Sequence, residues 1–458
     1  MSDIVSSILA FIDAIGVLVS VHEFGHFWVA RRLGFKVLRF SIGFGKPIAR
    51  WRGAAPDHTE YWLSSIPLGG YVKMLDEREG PVAVADQPRA FNRRPVWQRI
   101  LVLLAGPAFN FLFAIVAYWF MFSTGVPGIK PLIGSVAADS VAGRAGIEPN
   151  DEIETIGGRP TETWEAATLA IFDELLDDAR IDLSVRSADG KIKNVSLDVR
   201  GREAELTEPS ALFKGLGIRP GPAVPAVIGA VAADSAAERA GLKVNDEVLR
   251  ADGNAIDTWD AWVEFIRTRP GETVSIEIRR AGEAITVPLA IGSVAEEGKT
   301  IGRIGAASLS EIPAQVLEEM RAEQRYGVLE SLPRGVAKTW EMTSLTVKML
   351  AHMVVGQVSL KNMSGPLTIA AVAGESAQAG FGSFFNFLAV VSISLGIINL
   401  VPVPLLDGGQ VVYQLAEWIK GSPLSERAMA LGQQIGVFFL IVLMSFVFYN
   451  DLTRIFGS

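Results

Sequence analysis

Four long apolar runs, two near each end of the chain, constrain the fold more than any other feature. They cover residues 4–21, 100–122, 384–406 and 428–449. Each matches or approaches the roughly 20 apolar residues that a helix needs to cross a bilayer. Charged residues make up 20% of the chain, below the roughly 25% of an average soluble domain. We predict a polytopic α-helical membrane protein with four transmembrane helices, the first extending to residue 29.

The net charge and the cysteine count exclude several functional classes. A net charge of −8 gives no general attraction to phosphate, so we expect no nucleic-acid partner. The chain contains no cysteine, which excludes disulfides, thiolate zinc sites and cysteine nucleophiles. The first apolar run lacks a basic start and a small-residue cleavage site, so we expect a retained helix rather than a cleaved signal peptide.

The basic residues predict the orientation of the helices. They crowd both ends of the loop between the first two runs, at Arg31, Arg32, Lys36, Arg39, Lys46, Arg50, Arg52, Arg89, Arg93, Arg94 and Arg99. Loops rich in arginine and lysine stay in the cytoplasm. Both termini and the central region, residues 125–383, are then expected on the opposite side of the membrane.

An internal repeat lies in the central region. Residues 133–140 recur as residues 228–235, a shift of 95 residues that also carries Trp164 onto Trp259. The register continues without a gap, which indicates two copies of one small domain. Two copies are too few to stack as a solenoid.

Each copy combines short β-branched runs, glycine turns and one helical stretch, which is typical of a small α+β domain. The element order resembles PDZ domains of the bacterial, circularly permuted kind. We assign residues 127–222 to the first PDZ-like domain and residues 223–310 to the second. Three residues are expected to form the peptide-binding loop of the first copy: Leu216, Gly217 and Ile218. The small Ala306 at the matching place predicts weaker peptide binding by the second copy.

Two further segments complete the domain plan. Polar residues recur at helical spacing between residues 336 and 358, so we assign residues 311–383 to amphipathic helices on the membrane surface. Residues 66–74 are strand-like, apolar and broken by glycine, which indicates a membrane-associated β segment. The membrane parts are then residues 1–126 and 384–458.

The sharpest chemical signal is His22-Glu23-Phe24-Gly25-His26 in the first predicted helix. Residues four positions apart lie about 40° apart around a helix, so both histidines can direct a ring nitrogen to one metal ion. Two imidazoles, one carboxylate and a water make an open tetrahedral Zn²⁺ site. The structural alternative is a pair of histidines satisfied by neighbouring helices. Ionisable groups inside a membrane are costly and usually functional, which favours zinc.

Asp407 is the predicted third ligand. Pro402 and Pro404 break the helix just before it, and Gly408 and Gly409 follow it. Prolines end a helix and glycines permit close backbone approach, so the carboxylate can reach inward. The alternative is an aspartate in the headgroup region at a helix end. The first and third predicted helices end on the same side of the membrane, so the three groups can meet.

An ordered set of motifs resembles the site-2 protease family over nearly the whole chain. The set comprises the segment from His22 to His26, Gly43-Phe44-Gly45, Gly69-Gly70-Tyr71-Val72-Lys73-Met74, Gly106-Pro107 with Asn110, the tandem PDZ-like repeat, Ser364-Gly365-Pro366, and Asn399 with Pro402, Pro404, Asp407, Gly408 and Gly409. Relatives often carry histidine where this chain has Gln410. We expect little effect on metal binding, because Asp407 already supplies the third ligand.

The resemblance implies an intramembrane zinc protease and roles for individual residues. Glu23 acts as the general base that activates water. Asn399 holds the scissile segment or the developing oxyanion, with a hydrogen bond between helices as its alternative. Four residues hold the unwound substrate by edge pairing: Gly69, Gly70, Tyr71 and Val72.

The resemblance also implies partners and location. The substrate is expected to be a single-span membrane protein of the anti-sigma-factor type in envelope stress signalling, already trimmed by another protease. Remnant signal peptides are a second expected substrate class. The expected location is the bacterial inner membrane, in contact with the lipid bilayer. The PDZ-like domains and both termini are periplasmic and the active site lies toward the cytoplasm. The PDZ-like domains act either as a size filter or as readers of a new C-terminus.

Two other functional classes compete with the protease prediction. A non-catalytic membrane scaffold that collects partner C-termini explains the repeat and the spans, but it leaves the His22, Glu23 and His26 motif and Asp407 without a purpose. A transporter is expected to show broken helices at matching places in two halves, and the apolar runs show no such pattern.

Overall fold

A computed structural model describes residues 2–55, 57–296, 299–309 and 314–456. The chain forms two compact units. The first, here called the membrane unit, comprises Met1–Val126, Arg325–Ala351 and Met363–Ser458. The second, the central unit, comprises Pro127–Gln324 and His352–Asn362. The predicted domain boundary at residues 310 and 311, and the chain ends at residues 1 and 458, lie outside the described residues.

The membrane unit begins with two long helices separated by two long strands. Their bounds are α1 Ser2–Arg32, β1 Val37–Arg52, β2 Glu60–Met74 and α2 Val96–Thr124. The last turn of α1 contains Arg31 and Arg32, which complement the negative end of the helix dipole. Both helices extend beyond the apolar runs that predict them, because polar turns at their ends continue the helical hydrogen bonding.

The strands β1 and β2 fold back on one another and make more than a simple hairpin. Residues 37–42 of β1 pair with residues 70–74 of β2 on one side and with residues 60–63 on the other. Residues 47–52 of β1 pair with residues 60–64. Gly43 and Gly69, with φ of +86° and +101°, permit the bends that this path requires. Residues 70–74 therefore form one edge of the sheet.

The first repeat copy has its own buried core in the central unit. Its elements are β3 Val126–Ile129, β4 Ile133–Val136, α3 Val141–Arg144, β5 Glu152–Ile156, β6 Arg159–Pro160, α4 Trp164–Asp177, β7 Arg180–Arg186, β8 Ile192–Asp198, α5 Glu203–Leu206, α6 Leu212–Leu216 and β9 Ile218–Pro220. Four strands pair in the order β6-β5-β7-β8, and β4 pairs with β9. Alternate residues of β7, Ile181, Leu183 and Val185, are buried against α4, as expected of a sheet with one covered face.

The second repeat copy has the same sheet order. Its elements are β10 Ile228–Val231, α7 Ala236–Arg239, β11 Glu247–Ala251, β12 Asn254–Ala255, α8 Trp259–Arg267, β13 Thr273–Arg280, β14 Glu283–Ala290, β15 Gly292–Glu296, β16 Lys299–Arg303 and β17 Ala306–Ser308. Its strands pair as β12-β11-β13-β14, and β10 pairs with β17. Thr163 and Thr258 cap α4 and α8 in the same way, so the repeat extends to the helix caps. The copies differ where the hairpin of β15 and β16 replaces α5 and α6.

The C-terminal elements depart from the sequence prediction in two places. They are α9 Ala314–Glu319, β18 Arg321–Gln324, α10 Val328–Val354, α11 Pro366–Gln378, α12 Phe381–Leu400, α13 Asp407–Lys420 and α14 Glu426–Phe456. Residues 311–383 were expected to form surface helices only, but β18 pairs with β3 and so continues the central unit. The third apolar helix ends at Leu400 rather than residue 406, because Pro402 and Pro404 lack the N–H group that a helix needs.

Four helices among the described residues are long and apolar enough to cross a membrane. They are Val5–Arg32, Val96–Thr124, Phe381–Leu400 and Glu426–Arg454. These helices correspond to the four predicted runs, and all four belong to the membrane unit.

Candidate active site

The two histidines of α1 lie side by side within the membrane unit. His22 and His26 are each 8% exposed, and their Nε2 atoms lie 3.2 Å apart. The apolar neighbours Phe24 and Trp28 remain exposed on another face of the helix. The spacing of four residues therefore places both rings on the same face of α1, as predicted, and that face is buried in the protein.

Asp407 reaches the histidines from the first residue of α13. Its Oδ2 atom lies 3.2 Å from His22 Nε2 and 3.4 Å from His26 Nε2. The tight path from α12 into α13 depends on the two glycines after Asp407. A Cβ atom on Gly408 would lie 2.2 Å from the carbonyl oxygen of Leu400. Gly409 is equally confined, so only glycine permits this turn.

The Nδ1 atoms of both histidines, which point away from Asp407, contact polar groups of α2. His26 Nδ1 lies 2.8 Å from the carbonyl oxygen of Val102. A carbonyl only accepts, so His26 Nδ1 donates its hydrogen and Nε2 keeps its lone pair toward Asp407. His22 Nδ1 lies 3.2 Å from the side-chain amide of Asn110. Asn110 Oδ1 is buried without a partner among the described residues, and a rotation of the amide lets it accept from His22 Nδ1.

His22, His26 and Asp407 fit a zinc ion. One ligand atom from each lies within 4.8 Å of the others. Asp407 Oδ2 is buried and has no hydrogen-bond donor among the described residues. Three lone pairs that face one another without a hydrogen between them repel, and a cation at their centre removes the repulsion. Two imidazoles whose other nitrogens are held by outer groups, together with one carboxylate, make a zinc site with an open position.

Gly106 allows α2 to approach the histidine rings. A Cβ atom added to Gly106 would lie 2.3 Å from His26 Nε2 and 2.8 Å from His22 Cε1. Gly25 has the matching role on α1, where an added Cβ atom would lie 2.4 Å from the carbonyl oxygen of Ala105. Small residues at a membrane helix crossing permit such close approach.

We expect Gly106→Ala to weaken zinc binding by at least about tenfold, because the new methyl group displaces the histidine rings. The measurement is zinc affinity of the purified protein by competition with a chelator. Gly16→Ala is the matched control, since a Cβ atom added to Gly16 on the same helix pair meets nothing within 4 Å. Unchanged zinc affinity in a folded Gly106→Ala variant would contradict the close approach.

Glu23 lies at the wall of a cavity that the three candidate zinc ligands also line. The cavity has a volume of about 320 Å³. Besides these three residues, its wall includes Glu23, Gly70, Tyr71, Val72, Asn399 and Leu406. A Cβ atom on Gly70 would lie 3.0 Å from Glu23 Cγ, so the edge strand passes directly beside the carboxylate. Gly69 is not part of this wall and instead bends the strand.

The predicted peptide-binding loop of the first repeat copy has two buried side chains. Leu216 and Ile218 are 0% and 7% exposed, so their side chains belong to the core of that copy. Phe213 packs on Trp164 with ring centroids 5.3 Å apart. The second copy has a cavity of about 720 Å³ lined by Ile304, Gly305 and Ala306 among others. Peptide binding by Leu216, Gly217 and Ile218 therefore stays a prediction, and the matching place in the second copy offers space for a peptide as well.

Several residues of this region were missed by the sequence analysis. Val102 acts through its backbone carbonyl, which no side-chain pattern reveals. Arg99 Nη1 lies 2.8 Å from Glu417 Oε2, and both side chains are buried. The available signal for that pair is a single arginine at the start of an uncharged run, but basic residues at this place also mark the cytoplasmic end of a membrane helix.

Comparison with known proteins gives one family over nearly the whole chain. The model of peptidase family M50 matches residues 10–443. A Vibrio cholerae protein named "Putative zinc metalloprotease" is 42% identical over 459 residues, which cover 99% of this chain and 100% of the relative. The regulator of sigma-E protease RseP of Escherichia coli is 41% identical over 449 residues, which cover 97% and 98%. The regulator of sigma E protease of Haemophilus influenzae is 40% identical, with 98% and 99% covered.

Among solved structures, the PDZ domain of an SdrC-like protein from Listeria monocytogenes aligns with 18% of this chain and 83% of that domain, at 21% identity and a TM-score of 0.16. The family match and the full-length relatives together show that this chain belongs to peptidase family M50, the site-2 proteases, and is a zinc metallopeptidase of that type.

Proposed function

We propose that this protein hydrolyses a peptide bond inside the transmembrane segment of a single-span membrane protein. The observation that carries the proposal is the placement of His22, His26 and Asp407 within 4.8 Å of one another. Two of these residues lie on a helix long and apolar enough to cross a membrane. Membership in a metallopeptidase family, with Glu23 intact, leaves the non-catalytic scaffold without support.

His22, His26 and Asp407 hold the zinc ion in this proposal. A bound zinc ion supplies Lewis acidity that makes a water more acidic and polarises a peptide carbonyl. The backbone of Val102 and the amide of Asn110 orient the two imidazoles, so that each Nε2 faces the metal position. Such outer partners fix the tautomer and the ring angle.

Glu23 is the proposed general base. Its side chain shares the cavity with the ligand atoms, so it can accept a proton from the attacking water and return it to the leaving amine. Asn399 lines the same cavity from α12. Its amide N–H group can donate to the oxygen of the scissile carbonyl as negative charge develops there.

The edge strand, residues 70–74 of β2, is the proposed holder of the substrate. The backbone amides of a transmembrane helix are already paired, so the helix must unwind before water reaches a carbonyl. An unwound segment can pair with a free strand edge. Gly70, Tyr71 and Val72 line the cavity beside Glu23, so a segment paired there lies next to the proposed base.

The names of the relatives suggest the kind of substrate. The Escherichia coli relative is a regulator of sigma-E protease, so we infer an anti-sigma-factor type of substrate, trimmed beforehand by another protease, with remnant signal peptides as a second class. The basic loop between α1 and α2 supports an inner-membrane protein whose active site faces the cytoplasm and whose central unit is periplasmic. The cavity of the second repeat copy supports a role for that copy in reading the trimmed end.

The test combines metal content with cleavage. We expect the purified protein in detergent to hold about one zinc ion per chain and to cleave a single-span model substrate within its transmembrane segment. Asp407→Asn is expected to lose most of the zinc and the cleavage together. Cleavage that persists after complete removal of zinc would refute the proposal, as would cleavage confined to the soluble part of the substrate.

A further inference from the structure

One face of α2 meets every element that carries a proposed zinc ligand. Its members recur every three or four residues and lie within about 80° of one another around the helix: Arg99, Val102, Gly106 and Asn110. Val102 and Asn110 contact the Nδ1 atoms of His26 and His22, respectively. Gly106 leaves room for both imidazole rings because it has no side chain. Arg99 contacts α13 instead, through Glu417. The same face of α2 therefore contacts α13 near its N-terminal end and α1 further along the helix.

The contact between Arg99 and Glu417 is a buried ion pair. Arg99 Nη1 lies 2.8 Å from Glu417 Oε2, and the side chains are 9% and 8% exposed. A buried charge that loses its partner is strongly unfavourable, so each side chain keeps the other in place. The pair thereby fixes α13 against the first turn of α2.

Asp407 and Glu417 lie near opposite ends of the same short helix, α13. Ten residues separate them, which is about 15 Å along the helix axis. A helix of this length moves as one body, so its attachment at Glu417 limits where Asp407 can lie. The contact that Gln410 Nε2 makes with the carbonyl oxygen of Pro404, at 2.7 Å, is local to the turn. It cannot fix the turn relative to α1.

We propose that Arg99 and Glu417 are positioning residues for the third zinc ligand. The ion pair holds α13 at the angle that brings Asp407 to His22 and His26, so α2 serves as the common support for all three ligands. Neither residue lines the cavity beside the proposed ligands. This inference rests on the zinc site of the proposed function.

The test measures the zinc affinity of the full-length protein in detergent by competition with a chelator of known affinity. Glu417→Gln and Arg99→Gln keep the approximate shape of the side chains and remove one charge each. We expect zinc binding about tenfold weaker in each variant, as for other groups that orient metal ligands. The reversed pair, Arg99→Glu with Glu417→Arg, is expected to recover affinity to within about threefold of the wild type, because contacting residues do not act additively.

Asp451→Asn is the matched control for general loosening of the membrane unit. Asp451 is 1% exposed on α14, and its carboxylate accepts from the backbone N–H groups of Gly365 and Leu367, both at 2.9 Å, at the start of α11. Its substitution also removes a buried carboxylate charge. We expect a lower unfolding temperature for this variant with zinc affinity unchanged.

The outcomes separate the positioning role from the zinc site. A wild-type protein that binds no zinc refutes the site itself. A wild-type protein that binds zinc, with unchanged affinity in folded Glu417→Gln and Arg99→Gln, overturns the positioning role alone, and so does an equal loss in Asp451→Asn. If the single variants do not fold, Glu417→Asp decides, because it keeps the charge and shortens the reach. Wild-type zinc affinity in that variant overturns the proposal, and weaker affinity supports it.

Discussion

Glu23→Gln is expected to lower the rate of intramembrane cleavage by about 10³-fold, the usual contribution of a general base. Glutamine keeps the size and hydrogen-bonding reach of the side chain but cannot accept the proton of the attacking water. Because Glu23 is not one of the three grouped ligand residues, the zinc content is expected to stay at the wild-type level. The measurement is the initial rate of cleavage of a single-span substrate, with zinc per chain determined on the same sample.

Asp13→Asn is the control for this substitution, since it makes the same chemical change on the same helix. Asp13 is exposed on α1, about two and a half turns before the histidine motif. We expect wild-type cleavage from that variant. Equal rates in the wild type and Glu23→Gln would remove Glu23 from the mechanism. Loss of zinc in Glu23→Gln would instead make Glu23 a structural support of the site.

The proximity of the proposed zinc ligands could be predicted in part from local sequence spacing. His22 and His26 are one helical turn apart, and any helix through them brings the rings together. The approach of Asp407 to the histidines could be predicted from the prolines and glycines around it, which require an irregular path. Asp407 is expected in an irregular stretch after the third apolar helix, whereas it is the first residue of α13, and the local sequence did not reveal that a new helix begins there.

The supports of the site could not be predicted, because they join residues far apart in the chain. Arg99 and Glu417 are 318 residues apart, and no periodic pattern connects them. Val102 contributes only a backbone carbonyl, which every residue type possesses. The strand character of residues 60–74 could be predicted in part from residues 66–74. The order of the strand segments could not be predicted. It depends on bends at Gly43 and Gly69, and glycines at these positions are equally compatible with a simple hairpin.

That strand order makes residues 70–74 a sheet edge beside Glu23, and the opposite edge differs from it in sequence. Residues 47–52 form the other edge and begin with Pro47, which lacks a backbone donor. Proline is a common device that keeps a sheet edge from pairing with another chain. Residues 70–74 contain no proline. The contrast favours pairing at the edge that lies next to the proposed base.

Proline substitution at Tyr71 and Val72, one at a time, distinguishes the N–H group that pairs within the sheet from the one that is free to pair with a substrate. Successive N–H groups of a strand point to opposite sides, so one of the two N–H groups points toward β1 and the other points away from it. Proline at the first kind of position is expected to destabilise the sheet. Proline at the second kind should leave the protein folded and lower cleavage about tenfold, the effect of losing one hydrogen bond to the substrate.

The measurement compares each proline variant with alanine at the same position, because Tyr71→Ala and Val72→Ala remove the side chain and keep the N–H group. Unfolding temperature identifies the variant that retains the sheet, and kcat/KM is then measured on two substrates. One substrate is a continuous apolar helix, and the other carries a Gly-Pro pair at the cleavage site that unwinds it in advance. Edge pairing predicts the larger loss on the continuous helix, which depends on the strand to remain extended. If the folded proline variant cleaves both substrates as fast as its alanine counterpart does, the substrate does not pair with this edge.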